Sequence, residues 1–244
     1  MTVLVVGASG VTGRQLVEQL LIQGHSVKVV VRSPLKLPES WNNNEKVIII
    51  AASLLDLSDY DMKELIHDCH SIASCLGHNM NLKGIYGQPR KLVTDAVRRL
   101  CNAIKSIKPK SPIKYVLMNT TGNRNGDLNE PISFAQKCVL GLIRLLLPPH
   151  VDNEKAADYL RTQIGQKNQF VEWIAVRPDG LIDNQEVTEY TIHPSPIRSA
   201  IFDAGKTSRI NVGNFMANLI SDDSLWNKWK GQMPVIYNTT TPEK

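Results

Sequence analysis

The sequence predicts an α/β fold in which helices flank a doubly wound parallel sheet. Short apolar runs alternate with stretches of helical periodicity through about residue 177, as in successive βαβ units. The first apolar run leads directly into a glycine-rich turn and then into an amphipathic segment. The 244 residues are 42% hydrophobic and 21% charged, a composition that can fill a large core.

Six strands and four helices are predicted before residue 178. Each strand is a short apolar run, and each helix follows a strand with apolar residues at helical spacing. The strands are Thr2–Val6, Ser26–Val31, Lys46–Ile50, His70–Cys75, Lys114–Asn119 and Phe170–Arg177. The helices are Val11–Gln23, Leu57–His67, Pro89–Ile107 and Asp152–Lys167.

Two segments interrupt this alternation. Asn123–Pro131 is polar and contains glycine, which predicts a loop. Ser133–Leu147 has an apolar helical stripe and ends at Pro148-Pro149, which favours a helix that stops there. Apolar stripes usually pack on a core. The alternative is a lid, or a surface in residues 133–147 for a protein partner or for self-association.

A change of pattern after Pro178 predicts a small C-terminal lobe. Short strands are expected at Glu186–His193, Ile197–Phe202 and Pro234–Tyr237, and a helix at Asn211–Ile220. We therefore expect one domain over residues 1–244, in which residues from about 179 onward form a substrate lobe. Such a lobe would cover the carboxyl ends of the strands, where open α/β sheets bind ligands.

The composition limits the cell compartment and the classes of partner that we expect for this protein. Met1 leads directly into the first strand, and no apolar run approaches the roughly 20 residues that span a bilayer. The four cysteines show no metal-binding spacing, so we expect free thiols, no metal and a cytoplasmic protein. The net charge is +5, but the basic residues are scattered. Neither nucleic acid nor a membrane is expected as a partner.

A dinucleotide site is predicted where the first strand meets the first helix. Gly7, Gly10 and Gly13 are spaced three apart between the two elements. Gly7 would permit the turn, Gly10 would let a phosphate approach the backbone, and Gly13 would let the helix pack on the strand. The helix N-terminus would attract a pyrophosphate. The other residues of this loop are Ser9, Val11 and Thr12. The alternative is a tight turn without a ligand.

The next two strand ends suggest which dinucleotide binds. Arg32 ends the second strand, where folds that bind NAD usually carry a carboxylate for the ribose hydroxyl. A guanidinium there suits the 2′-phosphate of NADP, so we expect NADP(H) to be preferred over NAD(H). Asp56-Leu57 follows the third strand and could contact the adenine. Asp56 could instead cap a helix, and Arg32 could be an ordinary surface residue.

Two later strand ends would approach the nicotinamide half. Leu76 and Gly77 follow the fourth strand, and Gly77 would let the backbone pass close to the ribose. His78 would then face the substrate, although a single histidine is more often a polar surface residue. Pro178 fixes the turn after the sixth strand.

These motifs resemble the atypical short-chain dehydrogenase/reductases, in particular the NmrA-like and the biliverdin-reductase-B or flavin-reductase-like members. The resemblance covers nearly the whole chain. It implies a Rossmann-type fold and an NAD(P) site. The segments that carry it are Gly7–Gly13, Val30–Arg32, Asp56-Leu57, Leu76-Gly77, Asn119–Thr121, Lys155, Arg177–Gly180 and Ser208–Val212.

The resemblance also implies where catalysis would occur. Members carry a Ser or Thr after the fifth strand, which here is Thr120 or Thr121, and a YxxxK motif on the next helix. Lys155 would be the lysine, but Val151 stands at the tyrosine position and cannot transfer a proton. His150 or Tyr159 could replace the tyrosine.

Three functions follow from the resemblance. The first is an NADPH-dependent reductase of a small planar or carbonyl acceptor, such as a flavin or quinone, because the flavin-reductase-like members also lack the tyrosine. Thr121 would flank the acceptor, and Asp179 would stand where those enzymes tend to carry a histidine and would disfavour an anionic acceptor. The alternatives are an NmrA-like NADP sensor without turnover, and an epimerase or dehydratase with another acid or base.

Overall fold

A computed structural model describes residues 1–79 and 81–239. Its main sheet has eight strands in the order β3-β2-β1-β4-β5-β6-β10-β8. Every pair in this sheet is parallel except β10 with β8. The strands are β1 Thr2–Val6, β2 Ser26–Val31, β3 Val47–Ala51, β4 Ser71–Ser74, β5 Ile113–Met118, β6 Val171–Pro178, β7 Gly180–Ile182, β8 Tyr190–His193, β9 Lys206–Ser208 and β10 Val235–Asn238. The predicted α/β fold is confirmed.

Helices cover both faces of this sheet. The helices are α1 Val11–Ile22, α2 Asp59–Ile66, α3 Leu82–Tyr86, α4 Leu92–Ile107, α5 Phe134–Leu146, α6 Pro148–Tyr159, α7 Arg209–Ser221 and α8 Asp223–Trp229. In the part of the chain that is described, none of them is long and apolar enough to cross a bilayer.

The two faces of β1 show why this sequence makes a two-sided sheet. Val3 and Val5 point into a core shared with α1 and α7, whereas Leu4 and Val6 point into a core shared with α2, α4 and α6. Alternate side chains of a strand lie on opposite faces, so a strand that is apolar at every position needs a helical layer on each side.

One predicted strand is wrong. Ile197–Phe202 forms a turn, in which Ser199 Oγ accepts hydrogen bonds from the backbone N–H of Ile201 and Phe202. The local hydroxyl satisfies the backbone groups that a neighbouring strand would otherwise have to satisfy. The two-stranded sheet of β7 and β9 and the helix α8 were not predicted.

Helix and strand ends also moved. The helix expected from Pro89 begins at Leu92, and the one expected from Asp152 begins at Pro148. Proline is favoured in the first turn of a helix, because the N–H that it lacks would have no intrahelical partner there. That helix ends in a π turn, Leu160–Ile164, before the positive φ of Gly165. The strand expected at Glu186–His193 is reduced to Tyr190–His193.

Candidate functional site

The loop between β1 and α1 forms a close-fitting glycine cradle. Gly7 has a φ of +83°, and a Cβ added to it would lie 2.5 Å from the carbonyl carbon of Cys75. A Cβ on Gly13 would lie 2.2 Å from the carbonyl oxygen of Gly7. The N–H of Gly10 donates a 3.0 Å hydrogen bond to that same oxygen. Only glycine fits at Gly7 and Gly13, so the backbone of the loop stays open to a ligand.

The N-terminus of α1 is free to bind an anion. Gly10 is its N-cap and has no side chain to cap the first N–H groups, and the first turn holds no acidic residue. Ser9 and Val11 are exposed beside it, and Thr12 is buried. Uncapped N–H groups and the helix dipole together attract a phosphate. The cradle therefore fits the pyrophosphate of a dinucleotide.

Arg32 stands next to this cradle in the sheet, at the end of β2. Its side chain is exposed. Among the described residues it makes no hydrogen bond or ion pair. Because β2 is the neighbour of β1 in the sheet, Arg32 follows the strand next to the one that leads into the cradle, the position from which dinucleotide-binding folds contact the adenosine ribose.

Asp56 and Leu57 follow β3. Asp56 is exposed, and Leu57 is partly buried against the core. The helix cap is Ser58, whose hydroxyl accepts from the N–H of Asp61 in a capping box. Asp56 is therefore not the cap. The Arg99 guanidinium donates to the carbonyl oxygens of Leu55 and Leu57 and thereby holds the loop that carries Asp56 in place.

His78 turns away from the cradle, although Leu76 and Gly77 follow β4 as expected. Its Nε2 lies 2.8 Å from Asp152 Oδ2, and its Nδ1 lies 3.2 Å from the carbonyl oxygen of Gly84. Asp152 is buried and also accepts from the N–H groups of Val93 and Thr94. His78 thus joins α3 to α6, and Asp152 joins the start of α4 to α6. Sequence reasoning missed Asp152, since nothing marks it in the linear pattern.

The carboxyl end of β5 brings several predicted residues together. Thr120 Oγ1 accepts from the N–H of Gly122. The His150 ring lies over Gly122, with its Cε1 3.2 Å from where a Cβ would be. His150 Nε2 faces Glu154 Oε1 at 3.3 Å and is shielded from solvent.

Thr121 and Asp179 form a buried pair at the same end of the sheet. Thr121 Oγ1 donates a 3.0 Å hydrogen bond to Asp179 Oδ1. The N–H of Gly205 donates to the other oxygen at 2.8 Å. Burial raises the pKa of the Asp179 carboxyl, because the loss of hydration outweighs these hydrogen bonds. The loop after β5 is thereby tied to the loop before β9.

Lys155 lies on the exposed side of α6. Ala156 and Ala157 are buried in the core, and Lys155 makes no hydrogen bond or ion pair among the residues described. The side of α6 that meets the loop after β5 instead carries His150 and Glu154. Asn119, at the carboxyl end of β5, donates to the carbonyl oxygen of Asn153 on the same helix. The role of Lys155 inferred from YxxxK spacing stays a prediction.

Beside Thr121 is a cleft of about 190 Å³. Its walls come from the loop after β5, from α5 and from the turn at residues 196–200. Apolar side chains include Ile132, Leu140 and Ile197, and two arginines, Arg124 and Arg198, stand at its edge. Asp179 lies behind Thr121, outside this lining. The cleft therefore offers both apolar and charged contacts to a small molecule.

A buried ion pair fixes one wall of the cleft. Arg177 and Glu130 are both buried, with Nη2 to Oε1 at 2.7 Å and Nη1 to Oε2 at 3.1 Å. Arg177 also donates to three carbonyl oxygens, those of Asn123, Met233 and Pro194. Every guanidinium donor is used, so Arg177 is a structural residue that joins the loop after β5 to the segments at Pro194 and Met233.

Solved structures with this fold include several oxidoreductases. ChuY, an anaerobillin reductase from Escherichia coli, is 15% identical over 100% of both chains, with a TM-score of 0.68. A wide-type short-chain dehydrogenase/reductase from Veillonella parvula, in complex with NADP, is 14% identical over 99% of this chain and 96% of its own, with a TM-score of 0.69. A protein proposed to be an NADH-flavin reductase, from Streptococcus pneumoniae, is 16% identical over 98% of this chain and 100% of its own, with a TM-score of 0.66.

The TM-scores show that the fold is shared, and at identities of 14–16% the likeness shows the fold alone. Among curated protein sequences, none matches this chain. A family model described as NAD(P)H-binding matches residues 7–223. That match begins at the first glycine of the cradle and covers the strand ends described above. The chain therefore belongs to the NAD(P)H-binding family.

Proposed function

We propose that this protein is an NADPH-dependent reductase of a small planar or carbonyl acceptor, of the flavin or quinone type. The observation that carries the proposal is the geometry of the cradle together with Arg32. Arg32 is exposed at the end of the strand next to β1, which leads into the uncapped N-terminus of α1, and its guanidinium would meet the extra charge of a nucleotide with a 2′-phosphate. The cleft beside Thr121 would receive the acceptor.

The chain would hold the cofactor along the carboxyl edge of the sheet. Gly7, Gly10 and Gly13 would face the pyrophosphate, and Arg32 the 2′-phosphate. Leu57 would face the adenine, and Gly77 and Pro178 the nicotinamide half. When bound, NADPH would supply a hydride. The neighbouring reductases of similar fold support this reading.

Thr121 would supply a proton donor in place of the absent tyrosine. Its hydroxyl donates to Asp179 Oδ1 in the structure, and it would turn to donate to an oxygen of the acceptor in the cleft that Thr121 lines. The proton that accompanies the hydride would pass from solvent through this hydroxyl to the acceptor. Asp179, held by the Gly205 N–H, would keep the Thr121 side chain in position. The pair supports reduction of an acceptor that gains both a hydride and a proton.

Replacing Arg32 tests the cofactor. Arg32→Asp should weaken NADPH binding by the value of a lost charge-assisted contact, about 1.5–3 kcal/mol, and leave NADH binding nearly unchanged. Isothermal titration with both cofactors measures this. Lys36→Asp is the matched control, since Lys36 is exposed on the same loop and the charge change is equal. Equal losses for NADPH and NADH would contradict the 2′-phosphate role.

Replacing Thr121 tests the reaction. Stopped-flow mixing with NADPH and a panel of flavins and quinones should show NADPH oxidation by the wild type. Thr121→Val should lower kcat about 100-fold, the range of a lost proton donor, with NADPH affinity retained. Thr121→Ser should restore most of the rate. If NADPH binds and the wild type oxidises it with none of the panel, the reductase proposal fails and the NADP-sensor alternative is favoured.

A further inference from the structure

The outward side of α5 is entirely apolar. Leu140 is the helix residue that is buried, whereas Phe134, Leu142, Leu145 and Leu146 are 82%, 58%, 78% and 57% exposed. With about 3.6 residues per turn, the side opposite Leu140 holds these four together with Ala135 and Cys138. Any protein exposes single apolar residues at scattered positions. A whole side of a helix without a polar side chain is a different feature.

The short helix α3 extends this apolar face. The Tyr86 hydroxyl donates a 3.0 Å hydrogen bond to the carbonyl oxygen of Leu146, which joins α3 to the end of α5. Leu82 and Tyr86 are 77% and 49% exposed on α3. The α3–α5 face, defined as the exposed apolar side chains of residues 82–86 and 134–146, thus spans two helices.

The two segments that form the α3–α5 face carry basic residues and no acidic residues. The sequence has no Asp or Glu between Asp68 and Asp95, or between Glu130 and Asp152. The same two stretches carry five cations, of which Arg144 is paired with Glu154. The other four are exposed and form no ion pair in the described part of the chain: Lys83, Arg90, Lys91 and Lys137.

We propose that the α3–α5 face docks on an anionic phospholipid surface. Apolar side chains on one side of a surface helix enter the headgroup region, and nearby cations bind anionic lipids. A second copy of the chain fits less well, because a two-fold interface would bring these cations together with no carboxylate between them. A surface helix needs no spanning segment, so this proposal departs from the expectation of no membrane partner.

Vesicle co-sedimentation tests the proposal directly. The wild type should bind vesicles of phosphatidylglycerol mixed with phosphatidylcholine, bind pure phosphatidylcholine at least about tenfold more weakly, and release from the mixture as salt rises. Leu142→Glu with Leu145→Glu should abolish binding. Ile22→Glu with Leu35→Glu is the matched control, because these residues are 76% and 93% exposed outside the face and the change in charge is equal. The wild type remaining in the supernatant with anionic vesicles would overturn the proposal.

A fluorophore on Cys138 gives a readout that needs no substitution in the face. Cys138 is the exposed cysteine and lies at the centre of the outward side of α5. An environment-sensitive label there should shift to the blue with anionic vesicles and stay unshifted with neutral ones. No shift, or a dimer that Leu145→Glu dissociates in the absence of lipid, would overturn the proposal in favour of another occupant.

Discussion

Gly13 shows how one missing methyl group shapes the site. A Cβ there would lie 2.2 Å from the Gly7 carbonyl oxygen, and neither backbone can yield without opening the β1–α1 turn. We expect Gly13→Ala to lower the free energy of unfolding by about 1–3 kcal/mol and to weaken NADPH binding. Urea unfolding measures the first effect and titration the second.

Gly141 offers the matched control for Gly13. It lies within α5, and a Cβ there would meet nothing within 4 Å. Gly141→Ala should leave stability unchanged or raise it by up to about 1 kcal/mol, because alanine favours a helix. If the two alanine variants unfold at the same urea concentration, the close contact at Gly13 is not what requires glycine.

Single residues also show where sequence reasoning stops. The glycines could be predicted because the need for a side-chain-free position is local to the β1–α1 turn. The buried partners of Asp179 could not be predicted, because Thr121 and Gly205 lie 58 and 26 residues away from it in the chain. Lys155 has the spacing of the YxxxK motif and lies on the exposed side of α6.

At the scale of elements, the connection between α5 and α6 shows how α5 is held in place. Pro148 ends one helix and begins the next. Arg144, in the last turn of α5, donates hydrogen bonds of 2.8, 2.9 and 3.1 Å to Glu154 on α6. Burial alone would raise the pKa of Glu154, but hydrogen bonds and charge from His150 and Arg144 outweigh burial and lower it to about 2. The carboxylate thus holds α5 in place beside the cleft.

A pH-dependent contribution to stability follows from this pair. The folded-state pKa of Glu154 lies below the usual 4.5, so its contribution is complete above that value and is lost as pH falls toward about 2. Glu154→Gln should cost about 1 kcal/mol at pH 7, discounted because Arg144 is half exposed. The difference from wild type should shrink on acidification. Glu186→Gln, at an exposed site, should show no such trend in urea unfolding.

At the scale of the whole molecule, the Arg177–Glu130 pair joins three distant segments. It links β6, the loop after β5 and the segment after β8. Glu130→Gln would leave the buried guanidinium without its counter-charge, and we expect a loss of about 3–5 kcal/mol in unfolding free energy. Asp183→Asn, which breaks the exposed pair with Arg209, should give no measurable change. Similar midpoints for both variants would contradict a structural role for the buried pair.

The placement of α5 also belongs to this scale. Its inner side contributes Gln136 and Leu140 to the cleft, and its outer side is the apolar face proposed to meet lipid. The periodicity of residues 133–147 predicted a helix, and α5 is that helix. An apolar helix usually packs in the core, but most of α5 lies outside it. The two core layers on the sheet are already filled by other helices.

The sequence by itself determined the α/β fold, the glycine cradle and the NAD(P)H-binding family, because each depends on local backbone geometry and on short-range periodicity. The preference for NADP remains a prediction made from Arg32 alone. Only the tertiary structure decided that Thr121 and Asp179 are paired, that His78 and Arg177 are held by buried partners, and that α5 exposes its apolar side. Those contacts join residues far apart in the chain, and a linear pattern carries no information about which of them meet.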